Sequence, residues 1–171
     1  MGARSGGRAV ALQVLFALDA IGALDADRRA TLDVDGALAR YWASFEDAEA
    51  QAEGFEPDAR VFGDALVRDL VARFDEVDAA IRKCSTNWRV ERMPRVDRNV
   101  ARIGSFELIA RPEVPRAVII DEAVELAKRF GGDESAKFVN GVLERVADEA
   151  GRGESQRGEV GGRRSKPPEG G

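Results

Sequence analysis

The sequence contains no histidine, and this absence excludes much of enzyme chemistry. Without an imidazole there is no Ser-His or Cys-His pair, no histidine general base and no histidine metal ligand. Cys84 is the only cysteine, so no disulfide forms within the chain, which suits a reducing compartment. We therefore expect a cytoplasmic protein. An enzyme that uses carboxylate or lysine side chains is still permitted by these absences.

Long apolar runs are also missing. No segment approaches the ~20 apolar residues of a membrane span, so we expect no membrane association. Residues 151–171 hold seven glycines, two prolines and eight charged residues with almost no apolar side chains. Such a composition buries too little surface to offset chain entropy. The sequence thus predicts an ordered domain over residues 1–150 and a disordered tail over 151–171.

Apolar residues recur at three- and four-residue intervals through most of this domain, which predicts an all-α fold of about seven helices. The predicted helices cover residues 9–21, 35–49, 58–74, 75–84, 96–110, 115–130 and 134–150. No glycine or proline decides whether 58–84 is one bent helix or two. Gly131 and Gly132 are expected to end a helix, and Gly141 inside the last helix suggests a close helix crossing.

Charge is distributed unevenly along a chain of net charge −5. Residues 19–78 contain 16 acidic and 6 basic residues, whereas residues 82–116 contain 9 basic and 4 acidic residues. In the basic segment, arginines recur at three- and four-residue intervals close to Trp88, at Arg89, Arg92, Arg95, Arg98 and Arg102. Arg95, Arg98 and Arg102 fall on one helix face. Arginines bind phosphates and an aromatic ring stacks on a base, so this face is a candidate RNA surface. Pairing of these arginines with the chain's many carboxylates is the alternative.

Candidate catalytic groups are weaker. Asp121 and Glu125 lie one helical turn apart, as in an acid–base or metal pair, but Lys128 follows with the spacing of an exposed, charged helix face. Lys137 has polar neighbours, and Cys84 lies on an apolar face with Ile81. We interpret these residues as structural.

Several blocks then occur in an order that is typical of one family. They are Arg8 to Phe16 (RAVALQVLF), Asn87-Trp88, Arg92 to Pro94 (RMP), Asp97 to Ile103 (DRNVARI), Phe106 to Leu108 (FEL), Val114-Pro115, Ile119 to Lys128 (IIDEAVELAK), and Lys137 to Leu143 (KFVNGVL). In this order and spacing the chain resembles the NusB family of transcription antitermination factors, over about residues 8–150.

This resemblance implies two packed three-helix bundles, at about residues 8–86 and 94–150. It also implies binding of boxA RNA in ribosomal RNA leaders together with NusE, a small ribosomal protein, within an RNA polymerase antitermination complex. The resemblance further implies support of ribosomal RNA maturation, with no catalysed reaction and with no cofactor or metal. A homodimer of the free protein is left open.

Position by position, the resemblance places Arg4, Arg8 and Gln13 on an RNA-facing surface, with Arg8 expected to be exposed. The charge pattern adds Arg95, Arg98 and Arg102. For the partner protein, the expected residues are Asp97, Arg98 and Glu122.

Two alternatives remain at this stage. Family members carry an arginine-rich N-terminal segment, and here only Arg4 and Arg8 represent it, which favours a protein-binding helical adaptor with little RNA affinity. NusB-like helical modules also precede RNA methyltransferase domains. No cofactor loop or catalytic cysteine motif follows the helices in this chain.

Overall fold

The structure, a computed structural model, describes residues 2–46 and 56–153, and all regular secondary structure in these ranges is helical. The predicted all-α fold is therefore confirmed. The α-helices are α1 (Ala3–Ala20), α2 (Ala26–Arg29), α3 (Val34–Glu46), α4 (Pro57–Ala72), α5 (Phe74–Cys84), α6 (Arg95–Ala110), α7 (Arg116–Gly131) and α8 (Asp133–Glu149). A 3₁₀ turn at Val90–Arg92 lies between α5 and α6. In the described part of the chain, no helix is long and apolar enough to cross a membrane.

Helix α1 begins six residues before its predicted start, and the reason lies in its contact with α4. Gly6 and Gly7 are weak helix formers, yet both lie within α1. In the structure an ideal Cβ at Gly7 would lie 2.9 Å from the carbonyl oxygen of Ala59 and 3.0 Å from the amide nitrogen of Gly63. The backbones of α1 and α4 therefore touch because neither Gly7 nor Gly63 has a side chain. This packing outweighs the low helix propensity of glycine.

The question of one or two helices over residues 58–84 is settled in favour of two. The break falls at Arg73, whose φ of −116° and ψ of 24° are not helical. Phe74 begins α5 and is buried. Another break comes at Gly132, which joins α7 to α8. Its φ of 96° is a backbone conformation that residues other than glycine rarely adopt.

The predicted close crossing at Gly141 is wrong. An ideal Cβ there would meet no atom of the described residues within 4 Å. Gly104, on α6, instead makes the close approach in this half of the molecule, where a Cβ would lie 2.5 Å from Leu143.

Helix α1 packs against α4 on one side and against α6 on the other, and so joins the two halves of the fold. Helices α1, α3 and α4 surround the N-terminal half of the core, which includes Leu15 and Leu66. Helices α6, α7 and α8 surround the C-terminal half, which includes Ile119 and Leu143, and the buried apolar residues of both halves form one continuous cluster. Helix α5, which the sequence assigned to the N-terminal bundle, makes more contacts with α6 and α8 than with α4.

The predicted tail begins too early. Arg152 was expected to be disordered, but it is 8% exposed and donates hydrogen bonds to the carbonyl oxygens of Leu108, Arg111 and Val114. The carbonyls of Leu108 and Arg111 lie at the C-terminal end of α6, where backbone acceptors lack helical partners, and that of Val114 lies in the loop after it. The rest of the predicted tail, from residue 154, lies outside the described residues.

Candidate nucleic-acid interface

Arg8 is buried, and the expectation that it is exposed is wrong. Its Nε and Nη2 atoms each donate a 2.8 Å hydrogen bond to the carboxylate of Glu107, and only 4% of its side chain is exposed. Its Nη1 atom lies 3.6 Å from Glu122, which also accepts a hydrogen bond from Ser5. Burial alone would lower the pKa of Arg8, but the hydrogen bond and charge of Glu107 raise it above its usual value.

The other end of α1 carries a second buried ion cluster, centred on Asp19. Arg98 donates two hydrogen bonds of 2.5 Å to the Asp19 carboxylate, and Asn99 donates a third of 2.7 Å. Arg102 Nη1 lies 3.5 Å from Asp19, and its Nε and Nη2 atoms donate to Asp78 at 2.8 and 3.1 Å. Burial would raise the pKa of Asp19, yet the bonds from Arg98 and Asn99 hold it below its usual value.

Arg98 and Arg102 were expected on an exposed RNA-binding face. Arg102 is instead 6% exposed, and Arg98 is half-buried. For these residues and for Arg8, pairing with carboxylates is the alternative that the structure supports. The partners lie far away in sequence, which is why helix periodicity alone could not identify them.

The two ion clusters show that α1 and α6 run antiparallel, because Arg8 meets Glu107 while Asp19 meets Arg98. Arg4, which is exposed near the start of α1, therefore lies roughly 22 Å along that helix from Asp19. Arg95, exposed at the start of α6, lies near the Asp19 end. The six predicted RNA residues thus do not form one surface, and the predicted partner residues Asp97 and Glu122 also lie toward opposite ends.

Gln13 occupies a third location, beside α3. It is half-buried and accepts a 3.2 Å hydrogen bond from the Tyr41 hydroxyl, while its own amide donates to the carbonyl oxygen of Ala9. Burial and the nearby charge of Asp64 raise the pKa of Tyr41 to about 12, so the phenol keeps its proton and remains a donor. Gln13 is therefore a link between α1 and α3.

Asp97 lies in the first turn of α6, where a carboxylate is favoured by the helix dipole. It is 6% exposed, and its Oδ1 atom is buried without a hydrogen-bond partner in the described part of the chain. Buried carboxylate oxygens are normally paired, so Oδ1 of Asp97 is an exception within the described residues.

An exposed basic region remains around Trp88, and we call it the Trp88 surface. It consists of Trp88 itself with the basic residues Arg82, Arg89, Arg92, Lys137 and Arg145. The sequence pointed to Trp88, Arg89 and Arg92. It gave no signal for Lys137 and Arg145, which α8 brings in from about 50 residues further along the chain.

Groups that suggested catalysis have structural environments. Burial raises the pKa of Cys84, which keeps the thiol protonated and poorly nucleophilic. Asp121 and Glu125 are exposed on α7. Over residues 2–46 and 56–153, no group of three or more His, Cys, Asp or Glu residues is arranged to hold a metal ion.

These features define a helical binding protein, in which buried ion pairs join two bundles and exposed arginines gather at one surface. The sequence matches the NusB family over residues 6–148, and the chain belongs to that family. The transcription antitermination protein NusB of Sorangium cellulosum is 52% identical over 152 residues, which cover 89% of this chain and 96% of the relative.

Two solved structures have the same fold. T. maritima NusB matches 90% of this chain and 95% of its own length, with a TM-score of 0.69 and 28% identity. A crystal structure of the antitermination factors NusB and NusE in complex with double-stranded RNA contains a chain with a TM-score of 0.65 and 25% identity. That match covers 87% of this chain and 98% of the other.

Proposed function

We propose that this protein is a transcription antitermination factor that binds boxA RNA of ribosomal RNA leaders together with NusE. In this role it supports transcription and maturation of ribosomal RNA in the cytoplasm. The observation that carries the proposal is the similarity, over 87% of this chain, to a protein solved with NusE and RNA. The name of the Sorangium relative supports the same role.

The RNA contacts that we propose are the predicted arginines that remain exposed. Arg95 is exposed at the start of α6, and Arg89 and Arg92 are exposed just before it. Arg4, near the start of α1, would contact a more distant part of the strand. We do not include Arg8 and Arg102, because a guanidinium group held by a buried carboxylate would have to lose that partner to bind a phosphate.

For NusE we propose the end of α1 together with the start of α6. Phe16 and Ile21 are 39% and 64% exposed there, which is unusual for large apolar side chains and typical of a docking surface. The predicted partner residues Asp97 and Arg98 lie at this end of the molecule, at the start of α6, and the Arg98 side chain is fixed by Asp19. Glu122 lies near the start of α1 instead, where it forms an ion pair with Arg8.

The test is a binding measurement with a fluorescent boxA RNA, with and without NusE, over a range of salt concentrations. Each phosphate contact with a single strand contributes about −0.7 to the slope of log affinity against log salt. Replacing Arg95 by Ala should make the slope shallower and weaken binding. Arg68→Ala is the matched control, because Arg68 is a half-exposed arginine on α4 that pairs with Asp35.

A protein-binding adaptor is the second candidate, favoured by the burial of two of the predicted RNA-binding arginines. If the chain binds NusE but no boxA RNA at low salt, even with NusE present, the adaptor replaces the first proposal.

Association with an RNA polymerase antitermination complex is a further proposal, tested by co-purification with stalled elongation complexes. Light scattering of the free protein tests for a homodimer.

A further inference from the structure

Trp88 is held in a fixed position with more than half of its surface in solvent. It lies in the loop after α5 and is 52% exposed. The hydroxyl of Ser85 lies within hydrogen-bond distance of the carbonyl oxygens of Ile81 and Trp88, at 2.8 and 3.1 Å, and its single proton is donated to one of them at a time. The indole packs against the ring of Phe138, with a centroid separation of 6.2 Å. Nothing in this packing requires the rest of the indole to remain exposed.

Two hollows open on either side of Trp88, and residues 85–88 line both. The larger, of about 530 Å³, lies toward Arg82, Arg89 and Arg92. The smaller, of about 290 Å³, lies toward α8, between Lys137 and Arg145. The indole of Trp88 therefore borders two hollows, each of which is lined by basic side chains.

The charge of this region is opposite to that of the whole chain. Five cationic side chains and one carboxylate, that of Glu91, are present among the described residues that line the hollows. Glu91 is already bound by Arg82 at 2.8 Å. The chain as a whole carries −5. A local excess of positive charge around an exposed aromatic ring is complementary to a nucleic-acid strand.

Gly141 adds an independent observation. It lies within α8, where a glycine costs about 1 kcal/mol of helix stability relative to alanine. No helix crossing requires it, since an ideal Cβ would meet no atom of the described residues within 4 Å. Gly141 does line the smaller hollow, so any side chain at this position would project into open space there and narrow it.

We infer that Trp88 is a stacking platform for an unpaired base of single-stranded RNA, with the flanking sugar and phosphates in the two hollows. A duplex does not fit this arrangement, because its base faces are covered by their neighbours. Gly141 keeps the smaller hollow open, at a cost in helix stability. This inference rests on the proposed function and assigns one nucleotide position within it.

The experiment measures affinity for single-stranded boxA RNA in the presence of saturating NusE. Trp88→Leu keeps an apolar side chain but removes the ring, and Trp88→Phe keeps a ring. Stacking on one aromatic residue is worth about tenfold in affinity or more. We expect Trp88→Leu to lose that factor and Trp88→Phe to retain most of the affinity. Val61→Ala is the control, because Val61 is 70% exposed on α4 and lines neither hollow.

Fluorescence gives a direct readout of stacking. The chain has two tryptophans, so Trp42→Phe leaves Trp88 as its own reporter. RNA should quench this emission. The same titration with the double variant Trp42→Phe/Trp88→Phe, which has no tryptophan, corrects for any signal from NusE. Gly141→Leu provides a second variant, expected to melt no lower than the wild type while binding RNA several-fold more weakly.

The outcomes separate this inference from the proposed function. Unchanged RNA affinity in Trp88→Leu and Gly141→Leu, with no quenching, would overturn the platform and leave the proposed function standing. A wild-type protein that binds no RNA with NusE present would overturn both. Loss of NusE binding in Trp88→Leu, measured by pull-down without RNA, would assign the surface to the partner protein and would also overturn the platform.

Discussion

Removing Arg8 or Arg102 would leave a buried carboxylate without its partner, whereas removing a surface arginine would not. Glu107, the partner of Arg8, has only 1% of its side chain exposed, and Asp78, the partner of Arg102, has 7%. A surface ion pair contributes at most about 1 kcal/mol, because water solvates either partner when the other is lost. A buried carboxylate without its arginine has no such alternative.

Replacing Arg8 by Ala should therefore lower the free energy of unfolding by about 3–5 kcal/mol. Urea denaturation followed by circular dichroism measures this change. Arg4→Ala, at an exposed position on the same helix, should change stability by less than about 0.5 kcal/mol. A loss below about 1 kcal/mol in Arg8→Ala would show that Glu107 is solvated or paired in another way.

Asp19 should make stability depend on pH in the acidic range. Its pKa in the folded protein lies below its usual value, so the carboxylate stabilises the fold above the unfolded pKa of about 3.9. That contribution should be lost as the pH falls through the lower, folded pKa.

The measurement is the free energy of unfolding from pH 7 to pH 2 for the wild type and for Asp19→Asn. The variant should be less stable at pH 7 and should lose less stability on acidification. Glu76→Gln is the control, because Glu76 forms an exposed pair with Arg73. An acid dependence in Asp19→Asn equal to that of the wild type would contradict the assignment.

The bounds of a helix could be predicted from the sequence where nearby residues alone determine where the helix begins and ends. The later helices α6, α7 and α8 lie within one residue of their predicted bounds, because proline, glycine and apolar spacing agree there. The start of α1 was wrong because Gly7 is explained only by its contact with α4. The burial of Arg102 was missed for a similar reason, since spacing places Arg102 on a helix face but does not reveal Asp78 opposite it.

Two glycines in different helices should respond oppositely to alanine. A Cβ at Gly63 on α4 would lie 2.8 Å from the carbonyl oxygen of Gly7 and 3.1 Å from Cβ of Val10. Gly63→Ala should therefore destabilise the protein by about 1–3 kcal/mol through overpacking. Gly141→Ala meets no such contact and should stabilise it by about 0.5–1 kcal/mol through helix propensity. Thermal melts of the two variants test this contrast, and a stabilising Gly63→Ala would mean that α1 and α4 separate without cost.

The whole molecule depends on α1 as the element that packs against both halves of its core. Leu15 of α1 is fully buried in the N-terminal core, while Arg8 and Asp19 of the same helix are bound to α6. Releasing α1 from α6 would expose both ion clusters to water. Releasing it from α4 would open the close contact at Gly7. Neither half can therefore lose α1 and keep its own buried surface covered.

We accordingly expect both halves to unfold in one transition, and the two tryptophans report on them separately. Trp42 is buried on α3, and Trp88 lies against α8 through Phe138. In Trp88→Phe the emission follows the N-terminal half, and in Trp42→Phe it follows the C-terminal half. Within each variant the urea midpoint by fluorescence should equal that by circular dichroism. Separate midpoints would show that the ion clusters between α1 and α6 do not couple the two bundles.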